Sequence, residues 1–237
     1  MTTMLLVPGF WLDASSWDAV LPALREAGVD AVPLTPAGMG AAADERRTTT
    51  LADQIADLVR VIDATPGDLV LVGHSGGGPV VYGALDARPG RVRHVVYVDT
   101  TPGGEGSVIN AELPVVDGEI PLPDWDDLGD DMIRGLDDAA LARFRATAIP
   151  QPVHVAQDPL RLTGDDAARR AVPSTMISCE QTAAEIRDMM APDHPWHAYV
   201  RELAALEHLD VVDLPTGHWP QFSEPARLAE LLVAVAR

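Results

Sequence analysis

The chain contains no lysine; all 17 of its basic residues are arginine, set against 36 acidic ones. The formal charge of −19 leaves no basic stripe for a phosphate backbone or an anionic lipid surface, which excludes nucleic acid and membrane as expected partners. There is one cysteine, Cys179, so no internal disulfide can form, and a reducing, cytoplasmic setting is expected. Runs of 18 apolar residues are missing, which leaves nothing to span a membrane as a helix. Met1-Thr-Thr-Met4 lacks the basic region of a secretory signal, and none is expected. H-E-x-x-H, C-x-x-C and histidine pairs at ligand spacing are also lacking, so no metal is expected. No G-x-G-x-x-G follows a strand, and no cofactor is expected.

What is present is an alternation. The length of 237 residues suits one domain with a buried core. Short apolar runs read as strands at 4–8, 31–34, 69–72, 92–98, 174–178 and 209–214. Between them lie helical patterns, such as 51–64 with Ile55, Leu58, Val59 and Ile62 on one face. Further helices are expected over 16–27, interrupted near Pro22, and over 180–190, 196–206 and 224–236. Strands alternating with helices predict a parallel sheet covered on both faces, an α/β three-layer fold. From 102 to 171 the pattern breaks into prolines and acidic residues with no central-strand signal. About 70 residues is too long for a plain loop. Trp125, Met132, Leu136, Leu141 and Phe144 supply apolar groups to bury. The stretch therefore reads as a cap inserted after the fourth strand, between core segments 1–101 and 172–237.

One segment carries chemistry. Leu69-Val-Leu-Val-Gly-His-Ser-Gly-Gly77 is a G-x-S-x-G sequence between an expected strand and an expected helix. A sharp strand-to-helix turn there exposes one hydroxyl, that of Ser75, with glycines leaving room beside it. Serine needs a base and oxyanion donors to act as a nucleophile. Of seven histidines, only His218, in Leu214-Pro-Thr-Gly-His218, follows an expected strand with glycine immediately before it. Parallel strands end on one edge, where ligands bind, so Ser75 and His218 should meet despite 143 positions between them. Oxyanion donors are expected from the N–H groups of Gly76 and of Phe10, in the loop after the first strand. Trp11 of that loop, with Trp125 and Trp219, is expected to line the substrate pocket. His74 is expected to pack away from the site.

With these pieces in place the chain resembles the α/β-hydrolase family over nearly its whole length. The resemblance rests on Val7-Pro-Gly-Phe10, Gly73-His-Ser-Gly-Gly77 and Gly217-His218-Trp219, and it is closest in kind to compact bacterial serine esterases. It implies six parallel strands in the order 2-1-3-4-5-6, with Ser75 beside the switch point. It also implies a third catalytic group, an acid behind His218. The usual position after the fifth strand has no Asp; the region reads Ile177-Ser-Cys-Glu-Gln-Thr182. Asp99, at the end of the fourth strand, is the expected acid, with Glu180 and Glu185 as alternatives. The implied activity is hydrolysis of a small ester, thioester or lactone through an acyl-enzyme on Ser75. The alternatives are a cofactor-free carbon–carbon or hydroxynitrile-type lyase and a non-catalytic ligand-binding protein on the same scaffold. The expected partner is a small-molecule substrate, and the expected assembly a monomer or homodimer.

Overall fold

The computed structural model describes residues 2–236. Six strands form one parallel sheet: β1 (Thr2–Val7), β2 (Asp30–Pro33), β3 (Asp68–His74), β4 (Val92–Val98), and, beyond a long insertion, β7 (Ser174–Ser178) and β8 (Leu209–Asp213). Their spatial order is β2-β1-β3-β4-β7-β8, and every neighbouring pair is parallel. This is the order the family resemblance implies, because the intervening β5 (Glu119–Ile120) and β6 (Gln151–Pro152) pair only with each other.

Alternation in the strands explains the three layers. Met4 and Leu6 of β1, Val70 and Val72 of β3, and Val96 and Val98 of β4 face one side. There they meet Trp17, Leu24, Leu228 and Leu232, the last three from helices Leu21–Glu26 and Pro225–Ala236. Leu5, Val7, Leu69, Leu71, Val95 and Tyr97 face the opposite side, against helices Leu51–Ala64 and Gly77–Ala87. A strand apolar on both faces belongs in the middle of a sandwich of helices, since either face left open would expose a row of aliphatic side chains.

Local chemistry sets the helix ends. Helix Leu51–Ala64 opens on a reciprocal capping box between Thr50 and Asp53. Pro22 falls in the first turn of helix Leu21–Glu26, and a separate 3-10 turn, Ala14–Trp17, precedes it. The expected helix over 180–190 begins later, at Ala183, because Thr182 and Glu185 form a second capping box. Glu180 is thereby left outside the helix.

Residues between β4 and β7 add no strand to the main sheet among the described residues. They comprise the β5–β6 pair and five helices of four to ten residues. One anchor of this segment is a buried charge cluster. Arg169 is 1% exposed and pairs with Asp86 of helix Gly77–Ala87, whose other oxygen accepts from the N–H groups of Thr163 and Gly164 at 2.8 and 2.9 Å. The Arg169 guanidinium also stacks 5.0 Å from the Tyr82 ring centroid.

Candidate active site

All the parallel strands deliver their C-terminal ends to one rim. β1 runs into Pro8-Gly-Phe-Trp11, β3 into Ser75, β4 into Asp99, β7 into Cys179 and Glu180, and β8 into the loop that carries His218. Backbone strain collects at the same rim. Trp11, Ser75 and Asp99 hold positive φ angles of 65°, 50° and 47°, which L side chains adopt only when the surrounding fold enforces it. At Ser75 the angle turns the chain from strand to helix, with Ser75 N–H donating to Val98 O and Gly78 N–H to Ser75 O.

The glycines of the turn are spaces for close approach. A Cβ at Gly9 would lie 2.6 Å from the Ser75 Cβ, and one at Gly76 would lie 2.5 Å from the Phe10 ring. The loop after β1 therefore packs directly on the nucleophile turn. This places the Phe10 ring against Gly76.

The hydrogen bonds form a relay. Ser75 Oγ lies 2.8 Å from His218 Nε2, and His218 Nδ1 lies 2.6 Å from Asp99 Oδ2. Asp99 Oδ1 accepts from the N–H groups of Cys179 and Glu180 at 2.9 and 3.3 Å, which holds the carboxylate in place. Glu180 Oε2 approaches the same Nδ1 at 3.2 Å. Two of the three sequence candidates for the acid, Asp99 and Glu180, thus sit on the histidine, whereas the third, Glu185, is spent capping a helix. Burial disfavours a charged imidazole, but Asp99 and Glu180 outweigh it, and the His218 pKa is pushed up to about 9. Burial likewise works against the Asp99 charge; the His218 hydrogen bond and the Cys179 N–H prevail and hold its carboxyl below the usual range.

His74 has a larger part than packing. It is fully buried, and its Nε2–H donates to the His218 carbonyl at 2.7 Å. Nδ1 then accepts from the Gln221 amide at 3.2 Å, which fixes the tautomer, since a carbonyl can only accept. Burial, with His218 facing it, pushes the His74 pKa down to about 3, so the ring stays neutral. The inserted segment holds the same loop from the other side. Met132 O accepts from His218 N–H at 2.8 Å, and Arg134 O accepts from Gly217 N–H at 3.0 Å. The sequence signal for His74 was its place beside the serine; nothing local pointed to Met132 or Arg134, because carbonyl groups carry no residue-type signature.

A cavity of about 430 Å³ opens beside Ser75 and His218. Phe10 and Trp11 line it from the first loop, and Ile109, Leu113, Leu128 and Met132 from the insertion. Trp125 and Trp219, expected in the lining, lie elsewhere. Trp219 is 1% exposed and packs edge-on to Phe144 at 5.0 Å and to Trp125 at 6.3 Å. Its ring also stands 5.2 Å from that of His218. An indole with so much apolar area is more stable in this aromatic cluster than at a solvent-open wall. Cys179 is buried beside Asp99, and burial pushes its thiol pKa far up, which leaves it unreactive.

The carboxylates of Asp99 and Glu180 with His218 offer three metal-type ligand atoms within 4.8 Å of one another. Nδ1, however, carries the proton shared with Asp99, and that hydrogen bond by itself accounts for the close approach. Among the described residues, no helix is long and apolar enough to cross a membrane.

A family model described as "Alpha/beta hydrolase family" matches residues 4–231. The carbendazim hydrolyzing esterase of Nocardioides sp. (strain SG-4G) is 28% identical over 252 aligned positions, covering 99% of this chain and 100% of that protein. Among solved structures, an extracellular alpha/beta-hydrolase from a Paenibacillus species superposes with a TM-score of 0.79 at 22% identity, over 99% of this chain and 98% of that one. The methylesterase MES16 from Arabidopsis superposes with a TM-score of 0.76 at 18% identity, over 100% of this chain and 99% of that one.

Proposed function

Because the chain belongs to the alpha/beta hydrolase family, we propose that it is a serine hydrolase cleaving a small ester, thioester or lactone through an acyl-enzyme on Ser75. The observation that carries this reading is the unbroken relay Ser75 Oγ–His218–Asp99, with contacts of 2.8 and 2.6 Å. Neutral His218 takes the Ser75 proton on Nε2 as Oγ attacks the carbonyl carbon. Asp99 holds the ring in the tautomer with Nδ1–H and stabilises the imidazolium that forms. The negative charge moves to the carbonyl oxygen, where the N–H groups of Phe10 and Gly76 are the donors. Collapse of the tetrahedral intermediate breaks the bond to the leaving alcohol or thiol, and His218 returns its proton to that group. Water then repeats the sequence on the acyl-enzyme, releasing the acid and restoring Ser75.

Residues 102–171 act in this reading as a lid that shapes the acyl or alcohol pocket through Ile109, Leu113, Leu128 and Met132. The esterase names of the Nocardioides and Arabidopsis relatives support ester bonds as the target. Incubation with a fluorophosphonate probe, followed by peptide mass spectrometry, tests the reading. The expected result is one adduct on Ser75 and loss of p-nitrophenyl acetate turnover in both the labelled protein and Ser75→Ala. Labelling elsewhere, or unchanged turnover by Ser75→Ala, overturns it.

A further inference from the structure

Helix His197–Ala204 lays two side chains of opposite sign against the cavity, Arg201 and Glu202. Their situations differ. Glu202 is buried and its charge is matched: Arg170 holds it through Nε at 3.0 Å and Nη2 at 3.2 Å, Tyr82 donates to it, and Arg169 lies 3.8 Å away. Arg201 makes no hydrogen bond and no ion pair among the described residues, and it is the one guanidinium in the cavity lining. A Cβ at Gly104 would lie 3.3 Å from Arg201 Nη2 and 3.7 Å from Glu202 Oε2, so the bare glycine backbone leaves room for both groups. Asn110, also in the lining, accepts through Oδ1 from the N–H groups of Glu112 and Leu113, which leaves its amide N–H₂ as a second uncommitted donor.

The remaining carboxylates along the cavity are accounted for. Asp99 is spent on His218 and the 179–180 backbone, and Glu202 on Arg170. Arg201 is exposed, at the solvent side of the cavity lining. A guanidinium there with no protein carboxylate on it can take a substrate carboxylate, since its planar fork offers two parallel N–H donors. Resting on the Ser75 hydrolase reading, we propose that the substrate is an anionic ester whose carboxylate docks on Arg201 while its scissile carbonyl sits at Ser75. The net charge of −19 does not oppose this at close range, because salt screens charges beyond about 8 Å at physiological ionic strength.

Matched substrate pairs test the proposal: phenyl acetate against 3-acetoxybenzoate, and methyl hexanoate against monomethyl adipate. One pair places the carboxylate on the leaving group, the other on the acyl chain. The expected result is a kcat/KM at least about tenfold higher for the anionic member of one pair, the size of one charge-assisted contact. Arg201→Gln is expected to collapse that ratio about tenfold, mainly through KM, and Arg201→Lys to restore part of it. Neutral and anionic esters used equally by the wild-type protein, or a ratio unchanged in Arg201→Gln, overturn the proposal while leaving Ser75 hydrolysis intact. If no ester is turned over, the hydrolase reading fails separately. Calorimetry with 3-hydroxybenzoate and adipate then decides the anion site: binding lost in Arg201→Gln supports it, and no binding rejects it.

Discussion

Asp99 Oδ2 lies 2.6 Å from His218 Nδ1, and the two residues are 119 positions apart in the chain. The contact is made at the end of β4, the position expected from the sequence, one strand earlier than the family's usual acid position. The Asp99 carboxylate is fixed by two backbone N–H groups, so it has one orientation in which to serve the histidine. Asp99→Asn keeps the shape and offers the ring a donor in place of an acceptor. Turnover of p-nitrophenyl acetate should fall by about 10⁴-fold, the loss expected when a triad histidine is held in the wrong tautomer. Steady-state kinetics on the variant, with circular dichroism to confirm the fold, checks this.

Glu180 shares Nδ1 with Asp99, and both carboxylates help raise the His218 pKa to about 9. Only the neutral ring can take the Ser75 proton, so kcat/KM should climb with pH up to about 9 in the free enzyme. Glu180→Gln removes one of the two charges and should move that limb to lower pH. A pH–rate profile that stays in place in Glu180→Gln contradicts this assignment.

Linkage gives the matching sign for stability. The folded pKa lies above the ordinary value of 6.5, so the His218 contribution is fully present below about 6.5. It is lost as pH rises through about 9. Urea denaturation of wild type and His218→Gln at pH 6 and pH 9.5 should show a gap between the two proteins that narrows at the higher pH.

His74 should behave as a positioning residue. Its ring donates to the His218 carbonyl and is itself held by Gln221. His74→Ala leaves that buried carbonyl without a partner, at a cost of about 1–3 kcal/mol in stability. It also frees the loop; a displacement near 1 Å costs roughly 10²-fold in rate. The expected signature is a fall in kcat larger than any change in KM. His74→Asn, which keeps a donor, should recover part of it.

The buried Asp86–Arg169 pair joins the end of the inserted segment to helix Gly77–Ala87. Asp86→Ala removes the buried partner of a guanidinium that is 1% exposed, leaving it Asp166 and, at 3.8 Å, Glu202. It also strips the acceptor from the Thr163 and Gly164 N–H groups, and stability should fall by about 1–3 kcal/mol. Replacing both partners, as in Asp86→Leu with Arg169→Met, should cost less than the single change. Denaturant midpoints of the three proteins check the order.

Particular residues show how much of this was written locally. The aliphatic runs ending at Val72 and Val98 marked buried parallel strands, and Gly73-His-Ser-Gly-Gly77 marked the nucleophile turn, because period and glycine placement are local properties. The register Val98↔Ile177 is not local. It sets Asp99 beside the start of the 179–180 turn, and so decides that both acids reach one imidazole. Trp125 and Trp219 were expected in the pocket on residue type alone. Their burial against Phe144 depends on how the insertion folds back over the His218 loop.

The sequence by itself determined the layers and the serine–histidine pair, since apolar periodicity and the shared edge of parallel strands follow from backbone geometry; the strand order came with the family resemblance. Only the tertiary structure decided which carboxylates stand behind His218, what holds its loop and which cation faces the cavity. Those contacts span 38 to 144 positions and hang on distances of a few tenths of an ångström, which no local pattern encodes.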